Sequence, residues 1–178
     1  MRDIEANALP AVTWITPRFQ LSHHPPFSTR HAHNWVTDIV NGIMESAMWE
    51  ETALFITWDE WGGLYDHVVP PRIDQVELGF RVPMLVISPF ARRGYMDDAF
   101  GEFSAPLRFI ADNWGLPYLT SRIADAHGFE HVFDFRSNPR PPRPRPHVRA
   151  TNEFWDWPES FPGWPVGVEP DEPEIRYP

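Results

Sequence analysis

At 178 residues, 42% of them hydrophobic and 15% aromatic, the chain is the size of one domain and carries enough apolar side chains to fold around a core instead of staying disordered. A formal net charge of −10 argues against general nucleic-acid binding. With no cysteine, disulfide, zinc–thiolate and thiol-nucleophile chemistry are excluded, and the redox compartment is left open. All 15 basic residues are arginine, which reads as the codon usage of a GC-rich genome and carries little functional weight. The opening "MRDIEANALPAV" lacks a charged-then-apolar leader, and no apolar run has transmembrane length.

In chain order, Ala11–Thr16 (AVTWIT) alternates and is β-branched, predicting a short strand ended by Pro17. "SHHPPFSTRHAH" predicts a loop, because Pro25 and Pro26 cannot lie inside a helix. Trp35, Ile39, Val40, Ile43 and Ala47 then recur at helical spacing, predicting an amphipathic helix from Asn34 to about Trp49. The apolar run Thr52–Thr57 predicts a strand covered on both faces, and Gly62-Gly63 and Pro70-Pro71 mark irregular chain after it. Val82–Ser88 predicts a second buried strand with Pro83 near its start. Ser104 is placed to cap a helix running to about Trp114, with Leu107, Phe109 and Ile110 on its apolar face. This succession favours a layered α/β domain.

The end of the chain differs in composition. "RSNPRPPRPRPHVR" holds five Arg and five Pro and resembles an extended polyproline-like linker, read most simply as solvated. A ligand for an aromatic groove or an acidic surface is the sharper alternative. "NEFWDWPESFPGWP" adds three Trp, expected to cover apolar surface of the domain, with a carbohydrate- or lipid-contacting tail as the rival reading.

The chemistry concentrates in "FITWDEWGGLYDHVVPP". Asp59 and Glu60 are adjacent carboxylates where a strand should end, and two such groups repel unless something holds them. Adjacent strand residues point to opposite faces, so both could reach one metal only past the strand's end, a condition that Gly62-Gly63 satisfies by allowing a tight turn. Their hard oxygens suit Mg²⁺, Ca²⁺ or Mn²⁺, and an added histidine would favour Zn²⁺ or Fe. The plainer reading makes both surface acids, one of them capping the turn. His67 follows closely, and Asp66 beside it could orient that ring or another ligand. His23 and His24 form a second candidate group in a Pro-flanked loop, whereas His31 and His33 are expected to be mostly exposed.

"LPAVTWITP", "SHHPP", "FITWDEWGGLYDHVVPP", "LGFRVPMLVISPFARRGYMDD" and "RFIADNWGLPYLTSR" resemble, in order, the C-terminal half of the bacterial phosphoesterase family, which contains the non-haemolytic phospholipases C and related acid phosphatases. The resemblance runs from about Ala8 to Phe135. It implies part of an alkaline-phosphatase-like α/β sandwich over residues 1–135, followed by a Pro/Arg-rich linker and Trp-rich tail over 136–178. It also implies a divalent metal ion and a phosphomonoester or phospholipid head-group substrate. Position by position, Asp59 and Glu60 match the family's metal-binding acidic pair, and His24 and His67 match histidines of its "Ser-Glu-His-Pro-Pro" and "Tyr-Asp-His-Val" motifs, implying catalytic roles. His23 stands where the family has Glu, and Arg81 and Ser88 are expected to serve structure near the sheet edge. Nothing corresponds to the family's opening motif "ENRSFDHYFG". The resemblance therefore implies a metal-dependent phosphoester hydrolase present as a fragment without its nucleophile half, with little activity alone and an exposed sheet edge. The alternatives are an inactive remnant, a subunit needing a complementary N-terminal chain, or a module binding a surface or glycan through its tail. Full-length relatives are commonly exported.

Overall fold

Pro10 and Pro17 bracket the first segment expected as a strand, and no strand forms there. Ala11–Thr16 is irregular, with Trp14 72% and Ile15 45% exposed and the Thr13 hydroxyl donating to the Pro10 carbonyl at 3.0 Å. Alternation alone cannot make a strand without a neighbour to pair with, and this segment has none among the described residues. The computed structural model describes residues 1–25, 27–75 and 77–148. The Trp-rich tail lies outside the described residues.

Three helices and a ribbon organise residues 1–148, together with a short fourth helix. Helix α1, Arg2–Glu5, precedes α2, Thr29–Glu45. The second helix begins five residues before the apolar spacing predicts, because the extended backbone of Ser28 ends the Pro-containing loop and lets Thr29 start the first turn. His31 and His33 therefore sit on the helix and are exposed, while Ala32, Val40 and Ile43 form its buried stripe. The helix stops at Glu45 because Ser46 turns extended, and a 3₁₀ turn at Trp49–Glu51 leads into the first strand.

Strand β1, Leu54–Thr57, pairs antiparallel with β2, Met84–Ile87, in the register Leu54 with Ile87 and Thr57 with Met84. Among the described residues the ribbon has two strands, and its pleat sorts the side chains into two clusters. Phe55, Met84 and Val86 pack with Ala105, Phe109, Phe129, Val132 and Phe133. Leu54 and Ile87 pack on the opposite side with Ile4, Ile43 and Trp49. Each face is thus packed in part. Against the expectation of fully covered strands, Leu85 on β2 and Thr57 on β1 are exposed, Leu85 because the second cluster reaches only the Leu54–Ile87 end of its face. Each fully buried apolar side chain contributes about 1.5–3 kcal/mol, so the two clusters fix the ribbon between α2 and the later helices.

Helix α3, Ala105–Trp114, ends at Gly115, whose left-handed backbone (φ 62°) lets its N–H reach the Ala111 carbonyl. Ser104 occupies the cap position but its hydroxyl caps nothing, because its backbone is already helical (φ −76°, ψ −14°) and aims the side chain away from the orphan N–H groups. Phe109 turns inward, whereas Leu107 stays 39% exposed. In the short helix α4, Ser121–Asp125, Thr120 does cap, accepting from the Ile123 N–H. The architecture is a mixed α/β unit built on a small antiparallel sheet.

The Pro/Arg segment has no regular secondary structure over 138–148, and in place of a solvated linker residues 140–148 are hydrogen bonded to the domain. Asn41 brackets Arg145, donating to its carbonyl and accepting from its N–H at 2.8 Å each. Asn34 does the same to Val148 at 3.3 and 2.9 Å. Asp38 lies between them on α2 and meets His147 at 2.5 Å, and the Trp49 indole donates to the Arg140 carbonyl at 2.8 Å. A proline-rich chain cannot use its own backbone to form a ladder, so side chains on one face of α2 supply the partners.

Candidate metal and phosphoester site

Asp59 and Glu60 lie just past the end of β1, both exposed, on the turn that the glycines shape. Gly62 and Gly63 both take positive φ, 64° and 76°, which a side chain would resist. Glu60 folds back so that Oε2 accepts from the Gly62 N–H at 2.9 Å. One of the two acids therefore caps the turn while its other oxygen stays available.

The "SHHPP" loop meets this turn through Trp58. His23 packs its ring 5.6 Å from that of Trp58 and 4.6 Å from that of His33. His23 itself adopts φ 64°, a strained backbone for a residue with a side chain, and its buried Nε2 has no hydrogen-bond partner. Partial burial, and then the field of His33, hold its imidazole below the ordinary value of 6.5. His24 is exposed, with its ring 4.8 Å from Phe19 and Nδ1 hydrogen bonded to the Pro25 carbonyl, so Nε2 is the nitrogen left for chemistry.

His67 stands apart from these groups. Its side chain is 83% exposed, and its Nδ1 lies 3.8 Å from Asp66 Oδ1, beyond hydrogen-bond range. Asp66 does not orient that ring, because its carboxylate is taken by Arg81. Nε donates to Oδ2 at 2.6 Å and Nη2 to Oδ1 at 2.8 Å, and the Arg81 and Val68 N–H groups add two more bonds. The Arg81 fork, and then the Val68 N–H, hold the Asp66 carboxyl well below the usual carboxylate range. This clamp closes the loop between the strands across fifteen residues. Arg81 and Ser88 are thus structural, Ser88 being buried with its hydroxyl oxygen accepting from the Phe90 N–H at 3.2 Å.

The structure brings His23, His33 and Trp58 together beside the acidic turn. It gives Asp59 and Glu60 no third ligand: among the described residues no group of three His, Asp or Glu side chains is placed to hold a metal. The two carboxylates fit a divalent cation in kind, as hard oxygen donors, and fall short of it in number. The association of His33 with His23 left no trace in the sequence, since nothing in the helical pattern of α2 points one histidine at a loop ten residues earlier. No helix among the described residues is long and apolar enough to cross a membrane.

Known proteins match this chain over most of its length. Phospholipase C B of Mycobacterium tuberculosis is 33% identical over 93% of the chain and 37% of its own length. The non-specific phospholipase C6 of Arabidopsis thaliana is 30% identical over 78% of the chain and 33% of its own. A non-haemolytic phospholipase C of Pseudomonas aeruginosa is 29% identical over 65% of the chain and 21% of its own. The chain thus spans about a third or less of the length of these curated relatives. Residues 1–117 match the Phosphoesterase family, and they include both the "SHHPP" loop and the acidic turn. The chain belongs to the phosphoesterase family.

Proposed function

We propose that this chain is the part of a metal-dependent phosphoester hydrolase that carries Asp59 and Glu60, within an alkaline-phosphatase-like sandwich completed by further strands. The substrate is a phosphomonoester or a phospholipid head-group diester, the second favoured by relatives named phospholipase C. The observation that carries this reading is the pair of exposed carboxylates on the glycine turn inside the family match. Asp59 and Glu60 would hold a divalent cation, which when bound would supply positive charge to the phosphoryl oxygens. His24, as the imidazolium with Nδ1 held by the Pro25 carbonyl, would donate through Nε2 a hydrogen bond to a phosphoryl oxygen or a proton to the leaving alkoxide. His67, exposed on its loop, would contribute only once substrate or further chain approaches it. Residues 1–135 form the catalytic part and 136–178 the appendage.

The count of donors decides what this chain does alone. Two carboxylates are an incomplete ligand set, so donors and the nucleophile must come from elsewhere, which favours a subunit or fragment needing a complementary chain. The test is hydrolysis of p-nitrophenyl phosphate and p-nitrophenylphosphorylcholine by the purified chain with and without divalent metals, beside Asp59→Ala. Trace turnover that needs metal and vanishes in Asp59→Ala is expected. Fast turnover would refute the incomplete site, and turnover indifferent to Asp59 would refute its role.

A further inference from the structure

The antiparallel register sends β1 and β2 in opposite directions, so the chain leaving β2 emerges at the other end of the ribbon from Asp59. There the segment 89–95 runs beside residues 132–140. Arg92 N–H donates to the Val132 carbonyl at 2.8 Å, Asp134 N–H to Phe90 at 2.8 Å, and Arg140 N–H to Pro89 at 3.1 Å. Between the two segments lies a cleft of about 560 Å³, whose lining includes Arg92, Arg93, Tyr95, Ser137, Asn138 and Arg140.

Three guanidinium groups line this cleft against a single carboxylate, that of Asp134, which feels the field of Arg92 without forming a salt bridge to any of the three. Arg140 is fixed and half-buried, its Nε donating to the Pro89 carbonyl at 3.2 Å and its Nη2 to that of Ser88 at 2.9 Å. Burial, and then the fields of Arg93 and Arg143, depress its affinity for its proton. Arg92 and Arg93 are exposed and form no salt bridge among the described residues. The acid in the lining, Asp134, is engaged by the Ser137 hydroxyl at 2.7 Å and the Arg136 N–H at 3.1 Å. Three cations in one cleft, with Arg140 held by two carbonyls and one acid offsetting them only in part, stand out in a chain of net charge −10. Forked guanidinium donors match phosphate oxygens in geometry.

We propose that the cleft between residues 89–95 and 134–140 binds a phosphate-bearing anion, seated by Arg92, Arg93 and Arg140. Tyr95, 44% exposed, lines the cleft with the arginines, and Phe135, 67% exposed and packed on Phe90, adds apolar surface suited to a phosphate displayed on a lipid interface. A soluble phosphate ester presents the same oxygens. The site is independent of the acidic turn, because it asks nothing of Asp59 or of a metal.

The experiment uses the full chain in EDTA, so that no cation at Asp59 takes part, and compares it with Arg93→Gln and the double variant Arg92→Gln/Arg93→Gln. Both positions are exposed, and circular dichroism confirms that the variants fold. One arm measures cosedimentation with vesicles of phosphatidylcholine alone and of equal phosphatidylcholine and phosphatidylglycerol. The other titrates inorganic phosphate against chloride at matched ionic strength and follows the amide resonances of residues 92–95 and 140. Binding to the anionic vesicles is expected to weaken about five-fold for each arginine removed, and the phosphate-induced shifts to disappear in the double variant. Vesicle binding identifies a head group as the source of the phosphate; phosphate shifts without vesicle binding identify a soluble ester. Binding in neither arm, or variants that bind as the parent does, would overturn the proposal.

Discussion

Asp66 shows how a residue can sit in a functional-looking motif and spend its chemistry on structure. Its carboxylate is only 12% exposed and is forked by Arg81, so it cannot also serve His67. The lowered pKa fixes the sign of its contribution. A carboxyl that binds its proton less readily in the folded state adds stability above the ordinary value of 3.8, and that stability is lost as pH falls through the lowered folded value. Asp66→Asn should therefore melt below the parent at neutral pH, with the gap closing as the pH drops below 3.8. Thermal melts across that range check this; a gap that widens toward acid would contradict it. His23 has a slope of the same sign, at higher pH. Its lowered imidazole pKa makes the folded state bind fewer protons than the unfolded chain, so stability falls as pH drops below 6.5.

At the scale of elements, the seam between α2 and residues 140–148 is made of side chains reading a backbone. Asn34, Asp38 and Asn41 lie at helical spacing on one face, and the buried Trp49, 6% exposed, continues the line past the helix end. Trp49→Phe keeps most of the packing and removes the bond to Arg140, which should cost about 1 kcal/mol, whereas Trp49→Ala opens a cavity and should cost about 3–5 kcal/mol. Asn41→Ala removes both bonds to Arg145 and should cost about 1–2 kcal/mol. Urea unfolding gives the magnitudes. Hydrogen exchange should quicken at Arg145 and Val148 in Asn41→Ala, and unchanged exchange there would refute the seam as a structural contact.

For the whole molecule, the ribbon is short of partners. Both strands have a free edge among the described residues, Leu85 on β2 is 52% exposed, and Leu64 and Leu119 are 76% and 84% exposed. Unpaired edges beside apolar surface invite pairing with another chain. Sedimentation velocity should show concentration-dependent association of this chain, and Leu85→Lys should reduce it; a monomer at all concentrations would contradict this. The same incompleteness explains what was legible in the sequence. The helix ending at Trp114 and the two strands could be read because helical apolar spacing and apolar runs act locally, whereas the Ser104 cap did not form. The glycine turn was legible for the same reason, since positive φ is a local demand. Ala11–Thr16 misled because a strand needs a partner, which local alternation does not reveal. The Asp66–Arg81 clamp and the His23–His33 contact join residues across loops, and the three cleft arginines come together only once residues 89–95 and 132–140 are paired. None of these has a sequence period.

The central claim is that the acidic turn after β1 holds a divalent cation. Its most direct test is titration of the chain with Mn²⁺, followed by paramagnetic broadening of amide resonances, in the parent and in Asp59→Ala/Glu60→Ala. The account predicts weak, saturable broadening centred on residues 58–63 that the double variant abolishes. Broadening centred elsewhere, or surviving unchanged in the variant, would contradict it.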